Sequence, residues 1–145
     1  MVDQKREAQL RDAIENFYFA YRAFTARPDR ILEQRGLGRV HHRVLYFVGT
    51  QPGLSVNELL STLGVSKQAL NAPLRQLIEM KLVATSTASH DKRVKQLSLT
   101  EAGKKLETQL TQTQMKHLHD VFDEHGTKAE RAWLALMKSM PSQEK

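Results

Sequence analysis

The sequence predicts a mainly helical chain that carries one small β-hairpin, an α+β fold. Three observations predict it. Apolar residues recur at alternating four- and three-residue spacing from Leu10 to Phe24, and helical patterns return in the last third of the chain. Two short apolar-periodic stretches meet at the tetrapeptide L-G-V-S, residues 63–66. Downstream, a Val- and Thr-rich run at residues 82–88 and an alternating run at residues 94–99 are the parts that read as strands.

The elements follow in order. Leu10, Ile14, Phe17, Tyr21 and Phe24 form one stripe of an amphipathic helix. Pro28 and Asp29 end this helix or redirect the chain. Gly36 and Gly38 open a loop, and residues 39–48 form a second helix closed by Gly49. Residues 50–53, T-Q-P-G, are a turn. Ser55 and Glu58 have the spacing of a capping box and start a short helix with Leu59, Leu60 and Leu63 inward. Gly64 ends it in a left-handed conformation, Val65 packs inward, and Ser66 caps the next helix. That helix, about residues 67–80, puts Leu70, Leu74 and Leu77 on one side. Gln68, Ala72, Arg75 and Glu79 lie opposite, with Asn71 at the margin. Pro73 removes one backbone hydrogen bond, and we read it as a bend, with a break as the alternative. The hairpin has a polar, basic tip. Thr100 caps a long helix that Gly126 ends. Thr127 and Glu130 read as a second capping box, opening a last helix with Ala129, Trp133, Leu136, Met137 and Met140 inward and Pro141 beyond its end. Two short helices joined by a tight turn and followed by a hairpin make a winged helix-turn-helix.

With 145 residues the chain is long enough for one hydrophobic core. It contains no cysteine, which excludes disulfides, thiolate metal sites and cysteine redox chemistry. The longest apolar run, residues 44–48, is far too short to span a bilayer. The charged first ten residues do not read as a signal peptide, so the expected location is cytoplasmic, without a membrane partner. The formal charge is +6, and its distribution matters more than its size. Basic and acidic groups cancel in residues 1–24 and in residues 101–145. Residues 66–95 carry six basic groups against two acidic ones. Neutral flanks around a basic centre suit a scaffold that presents a polyanion-binding unit.

The segment D-K-R-V-K-Q-L-S-L-T-E-A-G, residues 91–103, resembles the wing signature of the MarR family of bacterial transcription regulators. The upstream helix-turn-helix, with its exit of a basic residue followed by Leu-Val, is similar to that family's as well. The resemblance covers residues 38–103; the flanking helices match in order and length. It implies a homodimer, with residues 1–37 and 101–145 as dimerisation segments around a DNA-binding unit at residues 38–100. It implies that Arg93 belongs to a wing that enters the minor groove and that Asp91 orients this wing by pairing with Arg93. It places Ser66, Gln68, Asn71 and Arg75 where the recognition helix meets DNA. Pro73 departs from the commonest pattern, which makes Gln68 a firmer assignment than Arg75. A small-molecule effector between the dimerisation helices and the winged helix is implied in the same way.

Physical chemistry supports these roles independently. A helix fits the major groove, where Gln, Asn and Arg read base edges. Lys67, Lys92 and Lys95 suit phosphates. Leu10, Ile14, Phe17, Tyr21, Leu118, Val121, Phe122, Trp133, Leu136 and Met140 are the expected dimer contacts. The aromatic stripe reads as dimer core rather than ligand site. No pair of histidines has the i, i+4 spacing of a metal site, so neither metal nor cofactor is expected, though His42 is a candidate lining residue of an effector pocket. No G-x-S-x-G, H-E-x-x-H, phosphate-binding or dinucleotide-binding motif occurs, so no enzyme is expected. The expected function is a homodimeric repressor that binds an inverted-repeat operator in double-stranded DNA and is released by a small effector. The alternative is a winged-helix module that binds protein instead.

Overall fold

The computed structural model describes residues 3–143. The element order is α1 (Gln4–Glu33), α2 (Arg39–Thr50), β1 (Leu54–Ser55), α3 (Val56–Leu63), α4 (Lys67–Glu79), β2 (Val83–Thr87), β3 (Lys95–Leu99), α5 (Glu101–His125) and α6 (Thr127–Ser142). The fold class is the predicted one, mainly helical with a small wing.

Local chemistry sets most boundaries. Asp3 caps α1 by accepting from the Arg6 N–H at 2.7 Å. Ser55 and Glu58 make both bonds of their capping box, at 3.1 and 2.9 Å. Gly64 sits at φ 66°, ending α3 in the left-handed region as expected. Ser66 then accepts from the Ala69 N–H at 3.1 Å, and α4 begins. Thr100 caps α5 through the Gly103 N–H at 3.0 Å.

Several sequence expectations are corrected. α1 does not stop at Pro28 and Asp29; it runs on to Glu33, because Thr25, Pro28 and Leu32 are buried on one face. Packing against α2 and α5 outweighs the one backbone hydrogen bond that Pro28 cannot make. Gly49 does not close α2. It lies inside the helix, where a Cβ would come within 2.9 Å of Leu99 Cδ1, the end of a side chain that can shift to make room. The hairpin has a third strand. β1 pairs antiparallel with β3, giving the order β1-β3-β2, with Leu54 opposite Leu97 and Thr87 opposite Lys95. Thr127 is the first residue of α6 and not its cap; the cap position is Gly126, at φ 95° and without a side-chain bond. α6 also extends through Pro141 to Ser142.

One core unites the winged helix with parts of its flanks. Leu70, Leu74 and Leu77 of α4 share one buried cluster with Val44, Leu45 and Val48 of α2, Leu97 of β3 and Leu106 and Leu110 of α5. Leu32 of α1 belongs to the same cluster. The seam between wing and α5 is tight. The Thr100 N–H donates to the Leu82 carbonyl at 3.1 Å, and the Thr100 hydroxyl donates to the Lys81 carbonyl at 2.7 Å. Gly103 packs directly on the Leu82 backbone, where any Cβ would overlap the carbonyl.

The expectation of an inward face on α6 fails within the single chain. Among the described residues none of α6 is buried; Leu136 is 66 % and Met140 55 % exposed, and Ala129 and Trp133 are exposed too. Met137 is half-buried.

Candidate nucleic-acid interface

α4 is anchored on one side and open on the other. Leu70, Leu74 and Leu77 fix its inner face, while Lys67, Gln68, Asn71, Ala72, Arg75 and Glu79 are all exposed. The helix is continuous across Pro73, with buried leucines on both sides of it. The Ser66 oxygen accepts the capping bond, which leaves its O–H free to donate. Lys67 and Arg75 enter no ion pair among the described residues. α4 therefore presents amide and guanidinium donors on a helix whose N-terminus is capped and whose back is packed.

The wing carries its charge at the tip. The Ala88 N–H donates to the Val94 carbonyl at 2.9 Å, and the Val94 N–H donates to the Asp91 carbonyl at 3.1 Å, closing a compact loop. Asp91 then gathers Arg93: its carboxylate accepts from the Arg93 backbone N–H at 2.9 Å and from Nε and Nη2 at 3.1 Å each. These bonds from Arg93 hold the Asp91 carboxyl below its ordinary range. The Arg93 side chain stays 89 % exposed, so its guanidinium is aimed by one edge and open along the other. Lys92 and Lys95 are exposed and unpaired among the described residues. The pairing expected between Asp91 and Arg93 is thus present.

The expected dimer residues divide. Leu10, Ile14, Phe17, Val121, Trp133, Leu136 and Met140 are exposed apolar groups. Leu118 and Phe122 are half-buried, and Phe122 packs edge-on against Trp133 with ring centroids 5.4 Å apart, joining α5 to α6. Tyr21 faces α2: its hydroxyl accepts from Arg43 Nη2 at 2.7 Å, and the Arg39 guanidinium lies 5.6 Å from its ring centre.

A cavity of about 330 Å³ lies between α1, α2 and α5, lined among others by Tyr21, Phe24, His42, Phe47 and Leu118. Its walls are mostly apolar and aromatic, with Arg39 and Arg43 as cations. Arg39 is paired with Asp29 at 2.9 Å. His42 lies on this lining; Nε2 meets Thr111 Oγ1 at 3.3 Å, and Thr111 donates to Glu107. Burial pushes the His42 imidazole below its ordinary value, against the pull of the Glu107 and Asp29 carboxylates. Sequence reasoning missed Arg39, Arg43 and Asp29, whose partners lie on other helices and leave no periodic mark. It also missed the pair His41–Gln76, bonded at 2.9 Å across 35 residues of chain. Among the described residues no cluster could hold a metal ion, and no helix is long and apolar enough to cross a membrane.

A capped, outward-facing helix followed by a basic three-stranded wing, both set on long helices, defines a winged helix-turn-helix protein. The chain belongs to the MarR family of transcription regulators. The model of that family matches residues 35–94. The HTH-type transcriptional regulator PetP of Rhodobacter capsulatus is 43% identical over 134 residues, which cover 92% of this chain and 81% of that protein. The crystal structure of the S. aureus MepR–DNA complex superposes with a TM-score of 0.74 at 21% identity, over 90% of this chain and 96% of that one. A MarR protein from Peptoclostridium difficile gives 0.77 at 18% identity, over 91% and 86%. At these identities the solved structures show the shared fold.

Proposed function

We propose that the protein is a homodimeric repressor that binds an inverted-repeat operator in double-stranded DNA. Residues 38–100 act as the DNA-binding unit, and residues 1–37 and 101–145 join two copies. The observation that carries this reading is the outer face of α4, with Gln68, Asn71 and Arg75 exposed on a helix whose inner face is fully packed. Gln68, Asn71 and Arg75 read bases; Ser66, Lys67, Lys92 and Lys95 hold phosphates; Arg93, aimed by Asp91, enters the minor groove. A dimer seated on an operator excludes other proteins from that DNA, which is repression. The cavity between α1, α2 and α5 is the place for a small effector that releases the dimer. The relation to an HTH-type transcriptional regulator at 43% identity supports the DNA-binding, regulatory part of this reading. A module that binds protein instead would draw its support from a recognition helix broken at Pro73, and α4 is continuous there.

Selecting a site from random DNA, then titrating salt with variants, tests it. Gln68→Ala should cost roughly 1–3 kcal/mol on the selected site and relax one symmetric pair of positions, with an unchanged salt slope. Lys92→Ala should weaken selected and random DNA alike. It should also make the log–log salt slope shallower by about 0.9 for each phosphate no longer neutralised, summed over both subunits. Equal losses on both DNAs for Gln68→Ala, together with indifferent wing variants, would refute this division of roles. A consensus without inverted symmetry would refute the dimer on a palindrome.

A further inference from the structure

The first turn of α2 carries two adjacent histidines, His41 and His42, that serve different neighbours. His42 lies along the cavity and meets α5. His41 faces α4, with Nε2 2.9 Å from Gln76 Oε1. Its neighbours assign its proton. The Gly38 backbone N–H donates to Nδ1 at 2.9 Å, so Nδ1 carries no hydrogen and Nε2–H is the donor to Gln76. The Gln76 amide is oriented from both ends, because its Nε2 donates to the Gly36 carbonyl at 3.3 Å. Gly36, Gly38, His41 and Gln76 therefore form one hydrogen-bonded clamp between the α1–α2 loop and α4.

The clamp grips α4 where its orientation matters. Gln76 is half-buried and follows Arg75, which is exposed, and precedes Leu77, which is buried. The leucine packing that holds the inner face of α4 is apolar and non-directional, so it resists separation better than rotation about the helix axis. Hydrogen bonds have preferred angles and fix that rotation. We propose that His41 and Gln76 are positioning residues for base reading: the clamp sets the roll of α4, and so the angle at which Gln68, Asn71 and Arg75 meet a major groove. Neither residue needs to touch DNA for this role.

The inference rests on the DNA-binding function proposed above, and the test separates the two. Full-length protein is titrated with a duplex selected from random DNA and with a scrambled duplex of equal length. Gln76→Met keeps length and helix propensity but removes both clamp bonds. His41→Asn keeps an acceptor for the Gly38 N–H but is too short to reach Gln76, and so guards against a general loss of folding. Each variant should lower affinity for the selected duplex about tenfold and leave the scrambled duplex and its salt slope unchanged. The double variant should be no worse than the poorer single one. In ¹⁵N-histidine spectra, wild-type His41 should show a bare Nδ1 and a protonated Nε2, and Gln76→Met should shift that Nε2–H signal. Equal losses on both duplexes, additive losses in the double variant, or a His41 protonated at Nδ1 would each overturn the clamp. A selective wild type with indifferent variants overturns the clamp alone. A wild type with no preference between the duplexes overturns the DNA-reading function itself.

Discussion

A methyl group on Gly103 would overlap the Leu82 carbonyl, and that carbonyl is held in place by the Thr100 N–H at 3.1 Å. Neither side can yield cheaply. Gly103→Ala should destabilise the protein by about 2–3 kcal/mol, seen as a lower urea midpoint. The sequence pointed to Gly103 through its place in the wing signature, but the reason for glycine there is a backbone approach from a distant part of the chain and has no local sign. His42 makes a pH prediction. Its native value is lowered by burial from the ordinary 6.5. Between the two values the unfolded chain binds more protons than the native one. The stability associated with a neutral, buried His42 is therefore full above the ordinary value and is lost as pH falls through the lowered one. Urea midpoints measured from about pH 7.5 to about pH 5 should show this decline, and His42→Gln should flatten it.

At the scale of elements, the boundaries most legible in the sequence were those set by local caps. Ser55 with Glu58, Gly64, Ser66 and Thr100 each satisfy backbone groups within four residues of themselves, so the chemistry is written where it acts. The exposed face of α4 was legible for the same reason, since it follows from the spacing of three leucines. Elements decided by distant partners were not. β1 is two residues long and exists because β3 lies beside it. The continuation of α1 through Pro28 depends on burial against other helices. The His41–Gln76 clamp joins residues that share no periodicity. Pro73 tests how much strain α4 carries. Its ring nitrogen cannot donate to the Ala69 carbonyl, and Ala69 is exposed, so water can take that bond. Pro73→Ala restores the helix bond but frees the unfolded chain. The net gain should be about 1–2 kcal/mol, read as a higher urea midpoint.

The whole molecule leaves a large apolar surface without a partner in the single chain. Ile14 is 68 % and Phe17 48 % exposed, and Val121 and Leu136 add to them. Exposed side chains of this size on three long helices are the pattern of an interface. Sedimentation at micromolar concentration should therefore show a dimer, and deleting residues 1–24 should give aggregation or unfolding instead of a stable monomer. A well-folded monomer in either case would count against the proposed assembly. The seam at Thr100 and Gly103 has a mechanical consequence for such a dimer. Wing and α5 are welded at one end of a helix of 25 residues, a lever arm of about 37 Å. Tilting that arm by about 5° about its far end carries the wing by roughly 3 Å, since the helix rises about 1.5 Å per residue. Two protomers swinging apart would change the separation of their reading heads by roughly 6 Å, close to two base-pair steps of about 3.4 Å. In the proposed dimer, a rotation of this size at the far end of α5 would be enough to put both heads in or out of register with their half-sites.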